Sequence, residues 1–92
     1  MFAISFDMVI VDLKSNYGEP YNNAYYEISS ILEEFNFYRA QGSVYLTDKN
    51  DMVNLTRAVN KLKTIDWFKN SVRDIRAFKV EDWSDFTAFM KE

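Results

Sequence analysis

The residues best suited to chemistry begin with Asp7, which closes the run Phe2-Ala3-Ile4-Ser5-Phe6-Asp7, where large apolar side chains alternate with small or polar ones. That period of two describes a strand with one buried face and puts Asp7 on the other, beside small and hydroxylated side chains. A carboxylate so placed can accept a proton or hold a hard cation such as Mg²⁺. An ordinary aspartate at the same point satisfies the backbone of the following turn. Ser43 and Tyr45, read onto the same face, are candidate catalytic partners: both can donate hydrogen bonds to a phosphate, and Tyr45 can stack on a base. The same two residues also suit an interface. Arg39, Arg73, Arg76 and Lys79 lie on or beside expected strands, where they can grip a phosphate, the arginines bidentately, or form ion pairs with Asp7, Asp74 or Glu81.

What the chain lacks narrows the chemistry further. It has no cysteine and no histidine among 92 residues. Disulfide scaffolds, thiol nucleophiles, iron–sulfur clusters, the usual zinc sites and the usual neutral-pH proton shuttle are therefore excluded. Catalysis is left to carboxylates, Tyr, Ser, Lys, Arg or a hard cation. Net charge is −3, but it is segregated along the chain: −5 over residues 1–52, +5 over 53–80 and −3 over 81–92. The basic block of Arg57, Lys61, Lys63, Lys69, Arg73, Arg76 and Lys79 makes a phosphate-attracting surface if the fold gathers it on one side, and a solvated face if it does not.

These residues need elements to hold them. Phe2 to Met8 form the first strand, while Val9 to Tyr17 either extend it or make a helical turn ending at Gly18. Pro20 suits the first turn of a helix whose inward face is Tyr21, Ala24, Tyr25, Ile28, Ile31, Leu32 and Phe35, with Asn22, Glu27, Ser30, Glu33 and Glu34 facing water. Phe37–Ala40 and Ser43–Thr47 form a hairpin around Gln41 and Gly42, with Val44 and Leu46 pointing opposite to Ser43, Tyr45 and Thr47. Asp48 or Asn50 caps a second helix with Met52, Leu55, Ala58, Val59 and Leu62 inward. Asp66 caps a short turn carrying Trp67 and Phe68. Val72–Val80 is a fourth strand, and Ser84 caps a short C-terminal helix bearing Phe86, Phe89 and Met90.

Strand, helix, strand, strand, helix, strand predicts one α+β domain over residues 1–92: a ferredoxin-like βαββαβ fold, a four-stranded antiparallel sheet with two helices on one face. The other face is expected to stay open, with Ala3, Ser5 and Asp7 beside Ser43, Tyr45 and Thr47. Two Trp, six Tyr and eight Phe are more rings than one small core absorbs, so a homo-oligomer is expected. The N-terminus lacks a basic n-region and carries Asp7 within its apolar run, so it reads as neither signal peptide nor membrane span, and a cytoplasmic protein is expected.

Three stretches add a resemblance: Tyr17-Gly18-Glu19-Pro20-Tyr21-Asn22, Gln41-Gly42-Ser43-Val44-Tyr45, and the run from Ile65 through Trp67-Phe68 to Ser71-Val72-Arg73-Asp74-Ile75-Arg76-Ala77-Phe78-Lys79-Val80-Glu81-Asp82. With Phe2 to Asp7 these resemble the virulence-associated protein D (VapD) family over essentially the whole chain. The resemblance implies a dimeric endoribonuclease of bacterial toxin–antitoxin systems, related in fold to the small CRISPR-associated ferredoxin-like nucleases. It further implies single-stranded RNA as substrate, a small antitoxin protein as a partner of some members, and a role in phosphodiester cleavage for a first-strand aspartate near the dimer interface, matched here by Asp7. Phe2 departs from the family, which has Tyr at that point in some members. Beside this reading stand a non-catalytic nucleic-acid-binding dimer and a small-molecule regulatory domain, both common uses of the fold.

Overall fold

A computed structural model describes residues 1–92. The alternating N-terminal run forms β1 (Phe2–Met8), and the chain continues through α1 (Ile10–Asn16), α2 (Asn23–Glu33), β2 (Tyr38–Gln41), β3 (Val44–Thr47), α3 (Met52–Lys63), α4 (Asp66–Lys69), β4 (Val72–Lys79) and α5 (Thr87–Met90). The strands make one antiparallel sheet in the order β2-β3-β1-β4, the split βαβ arrangement expected. Both crossovers carry helices on the same face. Phe2, Ile4 and Phe6 of β1 bury against Ile28 and Leu32 of α2, Leu55, Ala58 and Leu62 of α3, and Phe68 of α4. Each large apolar side chain so buried contributes on the order of 1.5–3 kcal/mol of transfer free energy, enough in sum to set the strand's face.

β3 reverses the expected assignment of its faces. Tyr45 lies opposite Ile4 and Thr47 opposite Phe2, and directly opposed residues on antiparallel strands point to the same side. Ser43, Tyr45 and Thr47 are therefore on the helix side, while Val44 and Leu46, opposite Ser5 and Ala3, lie on the other face. Tyr45 can be buried because its polar end is satisfied: the hydroxyl is 2.6 Å from that of Ser29 on α2, and the ring stacks at 6.0 Å on Phe6. Nor is the other face wholly open. Ala3 and Leu46 are 0% and 3% exposed, because residues 83–91 lie over the end of the sheet where β1 begins.

Several helix ends also differ from expectation. Val9–Tyr17 takes the helical alternative, with the Tyr17 and Gly18 N–H groups closing α1 on Leu13 and Lys14 carbonyls and Gly18 at φ +102°. Pro20 lies in the turn ahead of α2, where successive i→i−3 bonds from Asn23, Ala24 and Tyr25 precede the regular helix. Asp51, not Asp48 or Asn50, caps α3 by accepting the Val53 N–H at 2.9 Å. Asp85, not Ser84, accepts the Thr87 N–H at 2.8 Å ahead of α5. The Thr87 hydroxyl and N–H hold the Asp85 carboxyl below its ordinary range, so this turn is held at neutral pH and released as pH falls through that lowered value. Asp66 is the first residue of α4 rather than its cap, and Met52 is 60% exposed rather than core, because the cap at Asp51 starts the helix with Met52 already turned to water. No helix is long and apolar enough to cross a membrane.

Tyr45→Phe is expected to lower the unfolding free energy by about 1 kcal/mol, the net worth of the lost bond to Ser29. Tyr45→Ala is expected to cost about 3 kcal/mol or more through the cavity left beside Phe6. Urea midpoints at constant slope check both.

Candidate active site on the open sheet face

β1 runs beside β4 for nearly its whole length, pairing Phe2 with Lys79, Ala3 with Phe78, Ser5 with Arg76 and Asp7 with Asp74. Since β1 turns Phe2, Ile4 and Phe6 to the helices, its Ser5 and Asp7, and with them Arg76 and Asp74, face away from the core. At the end of the sheet left uncovered by the C-terminal segment, two exposed carboxylates thus stand directly across from each other, with Arg76 one step diagonal to Asp7. Like charges so opposed work against the pairing, which marks the place as one not arranged for stability.

The register that sets this pair is held from behind. A bulge follows Asp7, after which Met8 pairs with Val72 and the Val9 N–H reaches the Ser71 carbonyl at 2.8 Å. Asn16, at the end of α1, donates its side-chain amide to the Asn70 carbonyl and to the buried Ser71 hydroxyl, each at 3.1 Å. Tyr17 packs edge-on against Trp67 at 4.9 Å. The short helix after β1 is thereby fastened to the turn before β4.

Arg76 donates from Nε to both Asp74 oxygens, at 3.0 and 3.3 Å. Its side chain is 76% exposed, so the pair contributes at most about 1 kcal/mol and yields readily to a phosphate, which the guanidinium can meet bidentately. Partial burial, with Glu27 beside it, pushes the Tyr17 hydroxyl up, and burial, with Tyr21 adding, pushes Tyr25 up. Those two phenols stay protonated at neutral pH. Asp7 and Asp74 form a two-carboxylate set; no group of three or more acidic, histidine or cysteine side chains gathers anywhere in the chain.

Of the residues singled out from the sequence, the fold brings together Asp7 and Arg76. Ser43 is half-buried on the helix side, its carbonyl accepting the Phe6 N–H, and Tyr45 is core. Arg39 lies opposite Tyr45 and spends its Nε on the Gly42 carbonyl at 2.6 Å, bracing the hairpin. Lys79, opposite Phe2, is exposed on the helix side, and Arg73 is exposed beside the bulge. Asp74 was missed as a site residue and read only as an ion-pair partner; its spacing of two from Arg76 shows that the two share a face, but which face depends on the bulge after Asp7.

The family model for CRISPR associated protein Cas2 matches residues 1–88. "Endoribonuclease VapD 1" of Riemerella anatipestifer is 63% identical over 84 residues, 91% of this chain and 94% of that protein. "Endoribonuclease VapD" of Dichelobacter nodosus is 59% identical over 99% of this chain and 98% of its own length, and that of Helicobacter pylori 53% identical over 99% of both. From end to end, therefore, the chain belongs to the CRISPR associated protein Cas2 family and to the VapD proteins.

Proposed function

We propose that the protein is a cytoplasmic endoribonuclease that cleaves single-stranded RNA, and that Asp7 is its catalytic residue. The observation that carries this is the exposed Asp7–Asp74 pair with Arg76 beside it, in a chain whose relatives bear the name endoribonuclease. The Asp7 carboxylate takes the proton of the attacking hydroxyl as its oxygen bonds to phosphorus. The P–O5′ bond then breaks, and the leaving O5′ takes up a proton from water. Arg76 leaves Asp74 for the phosphate and stabilises the charge that builds on it. The donor set suits Mg²⁺, which takes one or two carboxylates and fills its remaining positions with water and phosphate. In the alternative role of Asp7, as metal ligand instead of base, Asp7 and Asp74 would hold the ion, which when bound would polarise the phosphate. Left unrestrained, such an enzyme is toxic to its cell, in keeping with the antitoxin-controlled role that the resemblance implies.

The active form is a homodimer. The C-terminal segment and the sheet bound a groove of about 650 Å³, lined among others by Leu46, Phe78, Trp83, Phe86 and Met90. Around its mouth Phe78, Trp83, Phe86 and Met90 are 43–74% exposed, and Phe89 beside them 65%, more contiguous aromatic surface than a small monomer ordinarily leaves in water.

Asp7→Asn is expected to leave folding intact, to raise the urea midpoint slightly by relieving Asp74, and to reduce cleavage of a labelled single-stranded RNA by a hundredfold or more. Equal cleavage by both proteins would overturn the assignment. Loss of activity in EDTA, restored by Mg²⁺, would place the ion in the reaction. Phe86→Asp with Phe89→Asp is expected to convert the dimer to monomer in light scattering; an unchanged mass would remove this interface.

A further inference from the structure

The cations of the sequence's basic block are placed with a bias that the active site does not explain. α3 carries Arg57, Lys61 and Lys63 and not one Asp or Glu, α4 adds Lys69, and β4 adds Arg73 and Lys79; all six are exposed. The single ion pair of the chain is Arg76–Asp74, so none of the six has a carboxylate in salt-bridge range. α2 is the reverse: from Ser15 to Tyr38 there is no Lys or Arg, while Glu19, Glu27, Glu33 and Glu34 are all exposed. Topology sends the two helices to different sides. α2 packs on β2, at one edge of the sheet, whereas α3 packs on α4, which leads through Asn70 and Ser71 straight into β4 at the other edge.

Two local causes account for part of this. Lys61, Lys63 and Lys69 lie in last turns, where a helix dipole favours cations. Arg57 in mid-helix and Arg73 and Lys79 on the strand have no such reason. Together the six run from the helix layer, round the β4 edge, to Arg76 on the face that holds Asp7, against only two carboxylates on the same elements, exposed Asp66 on α4 and Asp74, which is tied to Arg76. A net cationic flank beside an anionic one, on a chain of net charge −3, is what a polyanion passing on one side requires.

We propose that single-stranded RNA reaches Asp7 across the β4 flank, its phosphates held by Arg57, Lys61, Lys63, Lys69, Arg73 and Lys79, and that the α2 flank repels it. This rests on Asp7 as the cleavage residue for the direction of the path, but the binding surface can be tested without cleavage. Arg39, although on a strand, belongs to the α2 side and takes no part: it is tied to Gly42 and lies close enough to Tyr25 to act on its hydroxyl.

The test uses a fluorescent single-stranded oligoribonucleotide and full-length protein in the Asp7→Asn background, with affinity measured against salt. Arg57→Gln/Lys61→Gln/Lys63→Gln is expected to weaken binding at least tenfold at low salt and to flatten the slope of log affinity on log salt by about 2, at about 0.7 per phosphate contact. Lys69→Gln/Lys79→Gln, on other elements, is expected to flatten it by a little over 1, so the idea does not hang on one variant's folding. Arg39→Gln is expected to change nothing. With Asp7 restored, the triple variant raises KM and spares kcat. Slopes equal to the parent in both multiple variants, or a flatter slope in Arg39→Gln alone, would overturn the path, including in favour of an acidic protein as the flank's partner. A flattened slope in a protein whose cleavage does not depend on Asp7 would uphold the binding flank and overturn the cleavage reading alone.

Discussion

The pairing of β1 with β4 is the constraint on which the rest depends. It joins the acidic first half of the chain to the basic second half, and its register puts Asp7 across from Asp74 and Ser5 across from Arg76. A slip of one residue would turn those groups into the core and bring Phe6 and Ile75 out. The core forbids the slip, since Phe2, Ile4 and Phe6 bury only in this phase. The bulge after Asp7, with Asn16 fastened to Asn70 and Ser71, pins the end where the carboxylates stand. Packing on one face thereby holds an arrangement on the other that packing alone would not select.

The sequence made some of this plain. Large apolar residues at a period of two on β1, and at three and four on α2 and α3, announce their elements, because burial of such side chains outweighs every local preference. β3 shows where that reading fails. In Ser43-Val44-Tyr45-Leu46-Thr47 both alternating sets hold residues able to go inward, and what decides between them is the Ser29 hydroxyl, 16 residues away, which satisfies the Tyr45 hydroxyl. A partner at that distance leaves no trace in local spacing. The cap residues were misplaced for a smaller reason: Asp48, Asn50 and Asp51, or Ser84 and Asp85, are all able to accept an N–H, and side-chain type alone does not choose among neighbours.

The candidate site was half legible. Asp7 stood out because it is the one charged side chain on the small, polar face of a clean strand pattern. Arg76 was named without a face, and Asp74 only as an ion-pair partner, because the phase of β4 depends on a bulge that no residue type in the segment signals. Once β1 is fixed the phase follows, and the ambiguous mixture of Asp74, Arg76 and Phe78 becomes one face, with Ile75 and Ala77 on the other.

β4 is also an edge, eight residues long with no neighbour on its outer side. An edge of that length is a template for stray strands from other molecules, and proteins blunt such edges with charge. Arg73, Asp74, Arg76 and Lys79 supply it here, so the three cations proposed to hold phosphate also act as gatekeepers against aggregation. Selection on either property constrains the other: drift of these positions towards apolar residues would expose a sticky ribbon before it finished erasing an active site.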